Sequence, residues 1–491
     1  MDHTIERYKQ QLQHLTASLL PLCKQVDFVN VRFVRRYSEK LTMRKDLLQP
    51  PQTVVDSGAM VMLLHQGGIG YAATSTLQSA ALQQTFLQAK QWAQLNSPQQ
   101  WGGWDASHVR MPQPHGSYSS VVQQPWHDMP LTDKIDLLQQ ASRALHSDER
   151  IVDWEAGLWH TTIHELLWNC HNRQAQQIFV YTTPHLQAVA HHRGVTQERS
   201  LEAYRGYCFQ GGLEVLQQCS FLQRAQQIGQ DALQLVCAAN CPSERMDLLL
   251  DSGQMVLQVH ESIGHPLELD RILGDERNYA GGSFVTQEMF GNYQYGSKLL
   301  NITYDPTHPQ QIATFAYDSE GCPAQKEWII RQGMLQQPLG GALSNARCNR
   351  TNPIATTRAC SWNRPPIDRM SNLNMQPGCS SFDDMVASID KGVLMKTNKS
   401  WSIDQMRNKF QFGCEWGQLI ENGKLTQVVR NPCYRGLSAT FWRNLKQVGN
   451  ASSYNMLGSP YCGKGEPNQC IHVGHATPAA HFADVEIFGG A

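Results

Sequence analysis

Two histidines that flank a glutamate lie in an apolar stretch of this sequence, residues 256–270. His260 and His265 carry imidazole nitrogens, which are common zinc ligands, and Glu261 follows the first histidine directly. A carboxylate beside a zinc ion can take a proton from a water molecule that the metal holds. The stretch therefore has the residue types of a hydrolytic metal site.

The spacing of the two histidines is one residue longer than in the HExxH pattern of zinc peptidases. Four residues of an ideal helix turn by about 400°, which leaves two side chains roughly 40° apart, whereas five residues leave them roughly 140° apart. A one-residue bulge would restore a shared face, and such bulges often mark functional sites. Gly264 and Pro266 favour a bulge, because glycine tolerates unusual dihedral angles and proline removes a helical hydrogen bond and crowds the carbonyl of Ser262. The alternative is a helix that ends at Gly264 and two unrelated polar histidines, and spacing alone leaves both interpretations open.

Several segments resemble, in the same order, those of one known family. Residues 260–270 (HESIGHPLELD) resemble the HExxxHxxExD signature of the TldD/PmbA metallopeptidases, on the TldD side that carries the metal motif. The other matching segments are GGIGYAATS at 67–75 (a Gly-rich strand and turn), YDSEG at 317–321 (DDEGT), RMSN at 369–372 (PRMTN), LIENGK at 419–424 (LIENGK), YCGKG at 461–465 (CGKxG) and HVGH at 472–475 (PVGVGQP). The resemblance covers most of the chain and is strongest after residue 250.

The resemblance implies Cys462 as a third metal ligand beside His260 and His265, which leaves a fourth zinc position for water. By residue type alone, Cys462 is more typical of a buried structural thiol. Other candidate ligands also occur in the sequence, namely Cys470, His472, His475, His481 and the pair His191–His192. His472 and His475 stand where the family has other residues. These two histidines are therefore expected at most to support a ligand or to lie on the surface.

Three carboxylates near the histidines receive predicted roles. Glu261 is the candidate general base, which takes a proton from water and delivers it to the leaving amine; the alternative is a glutamate on a helix surface. Glu268 and Asp270 either accept the second ring N–H of a ligand histidine or cap and solvate the end of the helix.

Composition indicates a water-soluble enzyme rather than a nucleic-acid or membrane protein. The formal net charge of the 491 residues is −1, which gives no long-range attraction to nucleic acid or to an anionic membrane surface. No apolar run approaches the roughly 20 residues that span a bilayer, and the polar N-terminus does not resemble a signal peptide. The 14 cysteines lack a CxxC pair and are expected to be mostly small buried thiols. A cytoplasmic location is predicted.

Hydrophobic periodicity indicates two domains of an α+β fold. Helical spacing predicts helices over 4–22, 77–95 and 221–237, and alternation predicts strands over 27–37, 53–64 and 70–75, with several strands and Gln-rich turns over 150–215. A polar break at 240–243 divides a domain of residues 1–240 from one of residues 241–491, which contains many short strands. The resemblance implies an N-terminal α/β domain and a β-rich, barrel-like C-terminal domain crossed by the metal-motif helix.

The function that we expect from the sequence is that of a zinc-dependent peptidase acting on unfolded or flexible peptides, including modified precursors. Substrates would bind in extended form by adding a strand to a sheet edge. The resemblance also implies a dimer, either with a metal-free TldE/PmbA-like subunit or with itself. Direct nucleic-acid binding is not expected, and neither is membrane association.

Two alternative functions remain, and the sequence departs from the family pattern at two places. The chain could be a regulatory partner protein of the gyrase-modulator type with a structural metal, although an intact Glu261 argues against a purely structural site. It could also hydrolyse amides other than peptides. Pro266 stands where the family has a small glycine, and residues 356–364 depart from the GNGRR pattern, which could change the peptides that are accepted.

Overall fold

A computed structural model describes residues 2–101, 104–107 and 109–490. The helices in these residues are α1 (Asp2–Cys23), α2 (Ser79–Leu95), α3 (Pro98–Trp101), α4 (Leu131–Leu145), α5 (Glu214–Gln218), α6 (Phe221–Cys237), α7 (Ser252–Val259), α8 (Leu269–Leu273), α9 (Ala342–Arg347), α10 (Phe382–Ala387) and α11 (Ser438–Arg443). Short helical turns of other types lie at Trp126–Asp128, His260–Gly264, His265–Leu267, Gln287–Met289 and Ala451–Ser453.

The strands fall into two groups along the chain. Those before residue 211 are β1 (Phe28–Arg44), β2 (Leu47–Leu48), β3 (Gln52–His65), β4 (Gly68–Thr74), β5 (Gly116–Ser119), β6 (Ile151–Asn169), β7 (Gln174–His192), β8 (Val195–Ser200) and β9 (Phe209–Gln210). Those after it are β10 (Ala239–Asn240), β11 (Glu244–Leu250), β12 (Ile302–Tyr304), β13 (Glu327–Arg331), β14 (Met334–Leu335), β15 (Thr357–Arg358), β16 (Ile367–Asp368), β17 (Leu373–Met375), β18 (Lys391–Ile403), β19 (Lys409–Glu421), β20 (Lys424–Arg430), β21 (Pro432–Leu437), β22 (Leu445–Val448), β23 (Asn455–Lys464), β24 (Gln469–Thr477) and β25 (Ala480–Gly489).

A nine-stranded sheet contains all strands of the first group. Its main order is β4-β3-β1-β6-β7-β5; β2 pairs with β1, and β8 and β9 pair with β7. The pairs are antiparallel except β5–β7, and β1 lies in register with β6 such that Asn30 is opposite Asn169. Along β1, Val29, Val31 and Phe33 share one face and join the core beneath α1 and α2. The alternate residues of β1 therefore face the opposite side of the sheet.

Five strands of the second group close into a barrel. Their order around the barrel is β11, β18, β19, β21 and β25, and β25 pairs again with β11. Strand β20 continues from β19 and pairs with β10, and β22 pairs with β25. The remaining strands form the sheet β14-β13-β12-β17 and the two-stranded sheets β15-β16 and β23-β24. The expected α+β fold with a barrel-like C-terminal part is therefore confirmed.

Helix α7 packs among the barrel strands and contributes Met255 and Val259 to the largest buried core. Its polar side chains are also buried. The amide of Gln254 donates to the Tyr434 hydroxyl of β21 over 2.9 Å, and this hydroxyl donates to Gln258 over 2.9 Å. These bonds fix the rotation of α7 about its axis, and hence the direction in which the residues after it leave the barrel.

The sequence-based elements agree with the structure in type, with one exception. Helices α1, α2 and α6 and strands β1, β3 and β4 occupy the predicted regions, but the predicted Gln-rich turns within 150–215 are wrong. The glutamines at 174, 176 and 177 lie inside β7, while the turns fall at 170–173 and 193–194. The buried Gln177 amide explains the exception, because it accepts from the backbone of Ala316 and Tyr317 and donates to Glu165.

The boundary predicted at residue 240 stays a prediction, although the two large sheets lie on either side of it in sequence. Their contacts include an ion pair of 2.9 Å between Arg199 of β8 and Glu415 of β19. Among the described helices, none combines the length and the apolar character that crossing a membrane requires.

Candidate metal centre

The residues after α7 form a π-helical turn, His260–Gly264, in which the backbone N–H of His265 donates to the carbonyl of His260. This bond joins residues five apart, so the turn contains the one-residue bulge that the sequence favours. The two imidazole rings consequently share one side of the chain, with ring centroids 4.8 Å apart. The alternative of a helix that ends at Gly264 with unrelated histidines is not what the structure shows.

The turn is held by side chains that satisfy its displaced backbone groups. Pro266 cannot donate to the carbonyl of Ser262, and the hydroxyl of Tyr295 donates to that carbonyl instead. The Ser262 hydroxyl accepts from the indole N–H of Trp442 and from the amide of Gln258, each over 2.9 Å. Since all of these groups are buried, buried hydrogen bonds support the bulge, which is not a local defect.

Cys462 completes a group of three candidate ligands. It lies on β23, where the pairing with β24 is irregular between Ser459 and Cys462. Its sulfur is 3.5 Å from Nε2 of His260 and 3.7 Å from Nε2 of His265, and all three side chains are buried. In the described part of the chain, these residues form the one group of three or more His, Cys, Asp or Glu side chains with metal-ligating geometry.

The distances fit a tetrahedral metal ion. A nitrogen and a sulfur atom bound to one zinc at about 2.1 Å and about 2.3 Å lie about 3.6 Å apart when the angle between them is tetrahedral. The two sulfur–nitrogen distances at Cys462, 3.5 Å and 3.7 Å, lie on either side of this value. The donor set of two imidazoles and one thiolate also suits zinc, so the residues present fit the metal that the sequence predicts.

Arg369 stabilises the thiolate form of Cys462. Its Nη2 donates to the sulfur over 2.9 Å and to the carbonyl of the same residue over 2.6 Å. Burial acts to raise the pKa of Cys462, but the Arg369 guanidinium and His265 outweigh it, so the pKa lies below that of an ordinary thiol. The thiolate is the form that binds metal.

Glu268 orients His265. Its Oε2 is 3.0 Å from Nδ1 of His265, and this carboxylate is also within 3.4 Å of Lys464 and 3.5 Å of Arg271. Burial opposes ionisation, yet Lys464 and His265 hold the pKa of Glu268 well below its usual range. An ionised carboxylate only accepts, so Nδ1 of His265 carries the proton and Nε2 presents its lone pair to the metal position.

His475 plays the corresponding part for His260. Its Nδ1 is 3.0 Å from the carbonyl of Leu373, and its Nε2 is 2.9 Å from Nδ1 of His260. Burial, with a contribution from His260, lowers the pKa of His475 to about 3, so the ring is neutral. Because a carbonyl only accepts, Nδ1 of His475 is the donor and its Nε2 accepts from His260, which again leaves Nε2 of His260 free for a metal.

Asp270 lies one step further from the histidines. Its carboxylate accepts from Lys464 over 2.5 Å and from the backbone N–H groups of Arg271 and Asp368. The structure therefore places Asp270 beside Lys464, which in turn contacts Glu268, and not against a ring nitrogen.

Glu261 and Arg407 face each other at the wall of the site. Nη1 of Arg407 donates to Oε2 of Glu261 over 3.0 Å, and Glu261 is buried. Arg407 lies in the connection between β18 and β19, 146 residues from Glu261 in sequence. The structure therefore places a cation against the Glu261 carboxylate at the wall of the site.

A cavity of about 640 Å³ opens onto these groups. The three candidate ligands, Glu261 and Arg407 all line it, together with residues 457–459 and 461–463 of β23. We refer to it as the metal cavity. Its volume falls within the range of about 300–1,000 Å³ that small-molecule sites occupy, so it can admit a short piece of peptide.

The other ligand candidates lie among different partners. His481 binds Asp247 over 2.9 Å, His191 binds Thr196 over 2.9 Å, and Cys470 is exposed. His472 lines a second cavity, which shares Tyr461 with the first. None of these side chains, nor that of His192, belongs to the group formed by His260, His265 and Cys462 in the described residues.

Three residues of the site have no role assigned from the sequence: Arg369, Lys464 and Arg407. His475 was expected at most to support a ligand or to lie on the surface, and the structure places it against His260. Arg369 and Lys464 lie in segments that match the family, RMSN and CGKG. Their positive charge could have indicated that they are partners of the carboxylates in the metal motif. Arg407 had no such signal, because its partner lies far away in sequence.

Comparison with known proteins assigns the class. Residues 243–489 match the description "PmbA/TldA metallopeptidase C-terminal domain", and residues 29–93 match "PmbA/TldA metallopeptidase domain 1". The chain belongs to the PmbA/TldD family of metallopeptidases.

Individual relatives agree with this class. The chain is 24% identical to a metalloprotease of Methanothermobacter thermautotrophicus over 97% of this chain and 98% of the relative. It is 24% identical to a TldD-homologue metalloprotease of Haemophilus influenzae over 95% and 94% of the two chains. A zinc metalloprotease TldD homologue of Saccharolobus solfataricus is 26% identical over 47% of this chain and 48% of the relative.

Two solved structures share the fold. One is a putative modulator of DNA gyrase from Thermotoga maritima, with a TM-score of 0.78, 16% identity, and coverage of 97% of this chain and 100% of that chain. The other is TldE from Thermococcus kodakarensis, with a TM-score of 0.71, 15% identity and the same coverage. At these identities the likeness concerns the fold alone.

Proposed function

We propose that this protein is a zinc-dependent peptidase that hydrolyses unfolded or flexible peptides. The observation that carries the proposal is the arrangement of two imidazole nitrogens and one thiolate at zinc-binding distances, with Glu261 on the wall of the same cavity. His260, His265 and Cys462 would hold the metal. Bound zinc would supply Lewis-acid chemistry, which polarises a carbonyl group and makes water a stronger acid.

The side chains of the protein would transfer the proton and hold the reacting groups in position. Glu261 accepts a proton from the attacking water and transfers it to the amine that leaves, so that one water is added across the C–N bond. Arg407 holds the Glu261 carboxylate in place through Oε2. Glu268 and His475 keep the two ligand imidazoles in the tautomer that directs Nε2 to the metal.

Strand β23 is the candidate site for an extended peptide. It pairs with β24 on one side, and six of its residues, at 457–459 and 461–463, line the metal cavity. A peptide that adds to a strand is recognised mainly through its backbone, which gives weak sequence preference. This mode suits substrates that are unfolded or flexible.

The test compares Glu261→Gln with wild type on casein as an unfolded substrate. We expect kcat to fall by about 10²–10⁴-fold, because the proton acceptor is lost, while zinc content stays near one per chain. Glu288→Gln, at an exposed position, is the matched control and should behave as wild type. Full turnover by the Glu261 variant would contradict the proposal.

Two other functions are distinguished by assaying wild type on short peptides and small amides as well as on casein. A zinc-containing wild type that hydrolyses neither casein nor short peptides would favour a regulatory partner of the gyrase-modulator kind, which is how the Thermotoga maritima protein of similar fold is named. Hydrolysis of small amides without hydrolysis of peptides would favour a different amide substrate.

The assembly is also part of the proposal. The likeness to TldE of Thermococcus kodakarensis supports a pairing with a metal-free TldE/PmbA-like subunit, and a homodimer is the alternative. Light scattering of the purified chain separates the two: a dimer of about 110 kDa supports self-association, from the chain mass of 55.3 kDa, and a monomer supports a requirement for the second subunit. A cytoplasmic location is consistent with all 14 cysteines being free thiols.

A further inference from the structure

A second cavity, of about 280 Å³, shares Tyr461 with the metal cavity and is lined by residues of the nine-stranded sheet and of strands β15 and β24. Arg32 and Arg36 of β1 line it from the same face of the sheet, and Arg358 of β15 lines it from the opposite side. We call it the arginine pocket after these three residues. Its volume lies just below the usual range for whole small-molecule ligands, which indicates room for one chemical group rather than for a folded segment.

The arginine pocket carries an excess of positive charge. Glu165 is its one lining carboxylate, and its closest approach to Arg32 is 3.6 Å. The histidine of the lining, His472, is half-buried, and it is neutral because burial holds its pKa well below the usual range. Three guanidinium groups therefore face one carboxylate in a partly open pocket, and this excess of positive charge favours an anion.

The hydrogen bonds of these arginines show which of them is available to a ligand. Arg32 uses Nη2 for the carbonyls of Ser361 and Arg364, but its buried Nε has no partner. Arg358 uses Nη1 for the carbonyls of His472 and Met370. Throughout the described part of the chain, nothing accepts a hydrogen bond from the half-buried Arg36 or forms an ion pair with it. Arg36 is thus the cation with the most unused capacity.

Aromatic side chains connect this pocket with the metal cavity. Tyr461 lines both cavities and directly precedes the candidate ligand Cys462. Its ring stacks on Trp159 of the arginine pocket and on Tyr204 of the metal cavity, with centroid distances of 5.8 Å in each case. A peptide bound along β23 therefore passes within reach of the arginine pocket.

The geometry points to the arginine pocket as a subsite for a carboxylate of the peptide substrate, with Arg36 as the main recognition residue. The inference rests on the proposed peptidase function and adds the substrate class, namely peptides with a negative charge close to the scissile bond. Guanidinium groups bind carboxylates through paired, charge-assisted hydrogen bonds, and the aromatic lining accommodates the apolar part of the same residue. The carboxylate can come from the C-terminus or from an Asp or Glu side chain.

Binding measurements on the Glu261→Gln protein test the inference without turnover. The probes are acetyl-Ala-Ala-Phe with a free C-terminal carboxylate, the same peptide as its amide, and acetyl-Ala-Glu-Phe amide beside acetyl-Ala-Gln-Phe amide. We expect at least one charged probe to bind about 10-fold more tightly than its neutral counterpart, as one charge-assisted pair gives. The pair that shows the preference identifies the source of the carboxylate.

Variants of Arg36 then locate the preference. Arg36→Gln should remove the preference for the charged probe, Arg36→Lys should restore part of it, and Arg193→Gln, at an exposed turn, should leave it unchanged. Equal binding of charged and neutral probes, or a preference that survives Arg36→Gln, would overturn the inference. The two proposals can fail separately. Hydrolysis of casein by wild type tests the peptidase function. The binding preference tests the carboxylate subsite, and it is measured on the Glu261→Gln protein, which does not depend on turnover.

Discussion

At the residue scale, a different neighbour holds each of the three candidate ligands. Glu268 binds His265, His475 binds His260, and Arg369 binds Cys462, each at 3.0 Å or less. The two histidine partners fix a tautomer, and the arginine favours a thiolate, so each candidate ligand presents the atom and the form that bind a metal. Side chains that orient ligands in this way typically change metal affinity by 10–100-fold when removed.

His475 gives a direct test of this arrangement. His475→Leu should weaken zinc binding by about 10–100-fold, because Nδ1 of His260 loses its acceptor and the ring is free to turn. His475→Gln should keep most of the affinity, since its amide can accept from His260 and donate to the Leu373 carbonyl. Competition with a chromophoric chelator measures the affinity, and His481→Gln, a buried histidine elsewhere, is the control. Equal affinities for the Leu variant and wild type would show that the contact has no role.

Arg407 contacts Glu261 and not one of the three candidate ligands. Arg407→Gln should lower kcat/KM on casein by about 10–100-fold, because a carboxylate without its partner leaves the productive position. Arg407→Lys should recover part of the loss, and zinc content should not change in either variant. A parallel loss of zinc and of activity would instead indicate that Arg407 supports the fold.

At the scale of elements, the π-helical turn and the irregular pairing of β23 converge on one point. The turn brings His260 and His265 to the same side, and β23 delivers Cys462 between their Nε2 atoms. Close packing supports the turn, since a Cβ atom on Gly264 would lie 2.6 Å from the sulfur of the buried Met370. Gly264 is therefore required for space and not for an unusual φ, which is −59°.

A double-mutant cycle tests this packing. Gly264→Ala should cost about 1–3 kcal/mol by overpacking, and Met370→Ala about 2–5 kcal/mol by leaving a cavity. The double variant should cost less than the two together, because the added methyl group enters the vacated space. Thermal unfolding measures the differences, and Gly282→Ala, whose Cβ would be 3.4 Å from the Met406 sulfur, should change little. Additive effects would mean that Gly264 and Met370 do not contact in solution.

At the scale of the whole molecule, a bound metal would join distant parts of the chain. Cys462 is 202 residues from His260 and 197 residues from His265, so the ion would connect the segment that leaves the barrel at α7 with the two-stranded sheet. The two large sheets are also linked directly through Arg199 and Glu415. A ligand that binds only the folded chain stabilises it in proportion to the logarithm of its concentration over Kd.

Metal removal should consequently lower the thermal stability. At free zinc near 1,000 times Kd, binding contributes about 4 kcal/mol, so a chelator should decrease Tm measurably. His260→Ala and Cys462→Ala should show a low Tm that the chelator does not change further. Cys470→Ala changes an exposed cysteine on β24, and the chelator should decrease the Tm of this variant as much as that of wild type. A chelator without effect on wild type would contradict a metal that joins these segments.

The sequence by itself indicated most of the elements and the two histidines that are candidate metal ligands. Periodicity located α6 and the start of β1, because local burial and backbone preference repeat along the chain. The five-residue spacing of His260 and His265, with Gly264 and Pro266 between and after them, favoured the bulge that the structure contains. The resemblance to the family implied Cys462 as the third candidate ligand, which the spacing of the histidines alone does not indicate.

Only the tertiary structure decided which side chains surround these candidate ligands. The contacts of His475 with His260, of Arg407 with Glu261 and of Arg369 with Cys462 join residues 215, 146 and 93 positions apart. The same holds for the arginine pocket, which needs β1 and β15 from distant parts of the chain. Contacts at such separations depend on how sheets and loops pack in three dimensions, and no local pattern of residues records that packing.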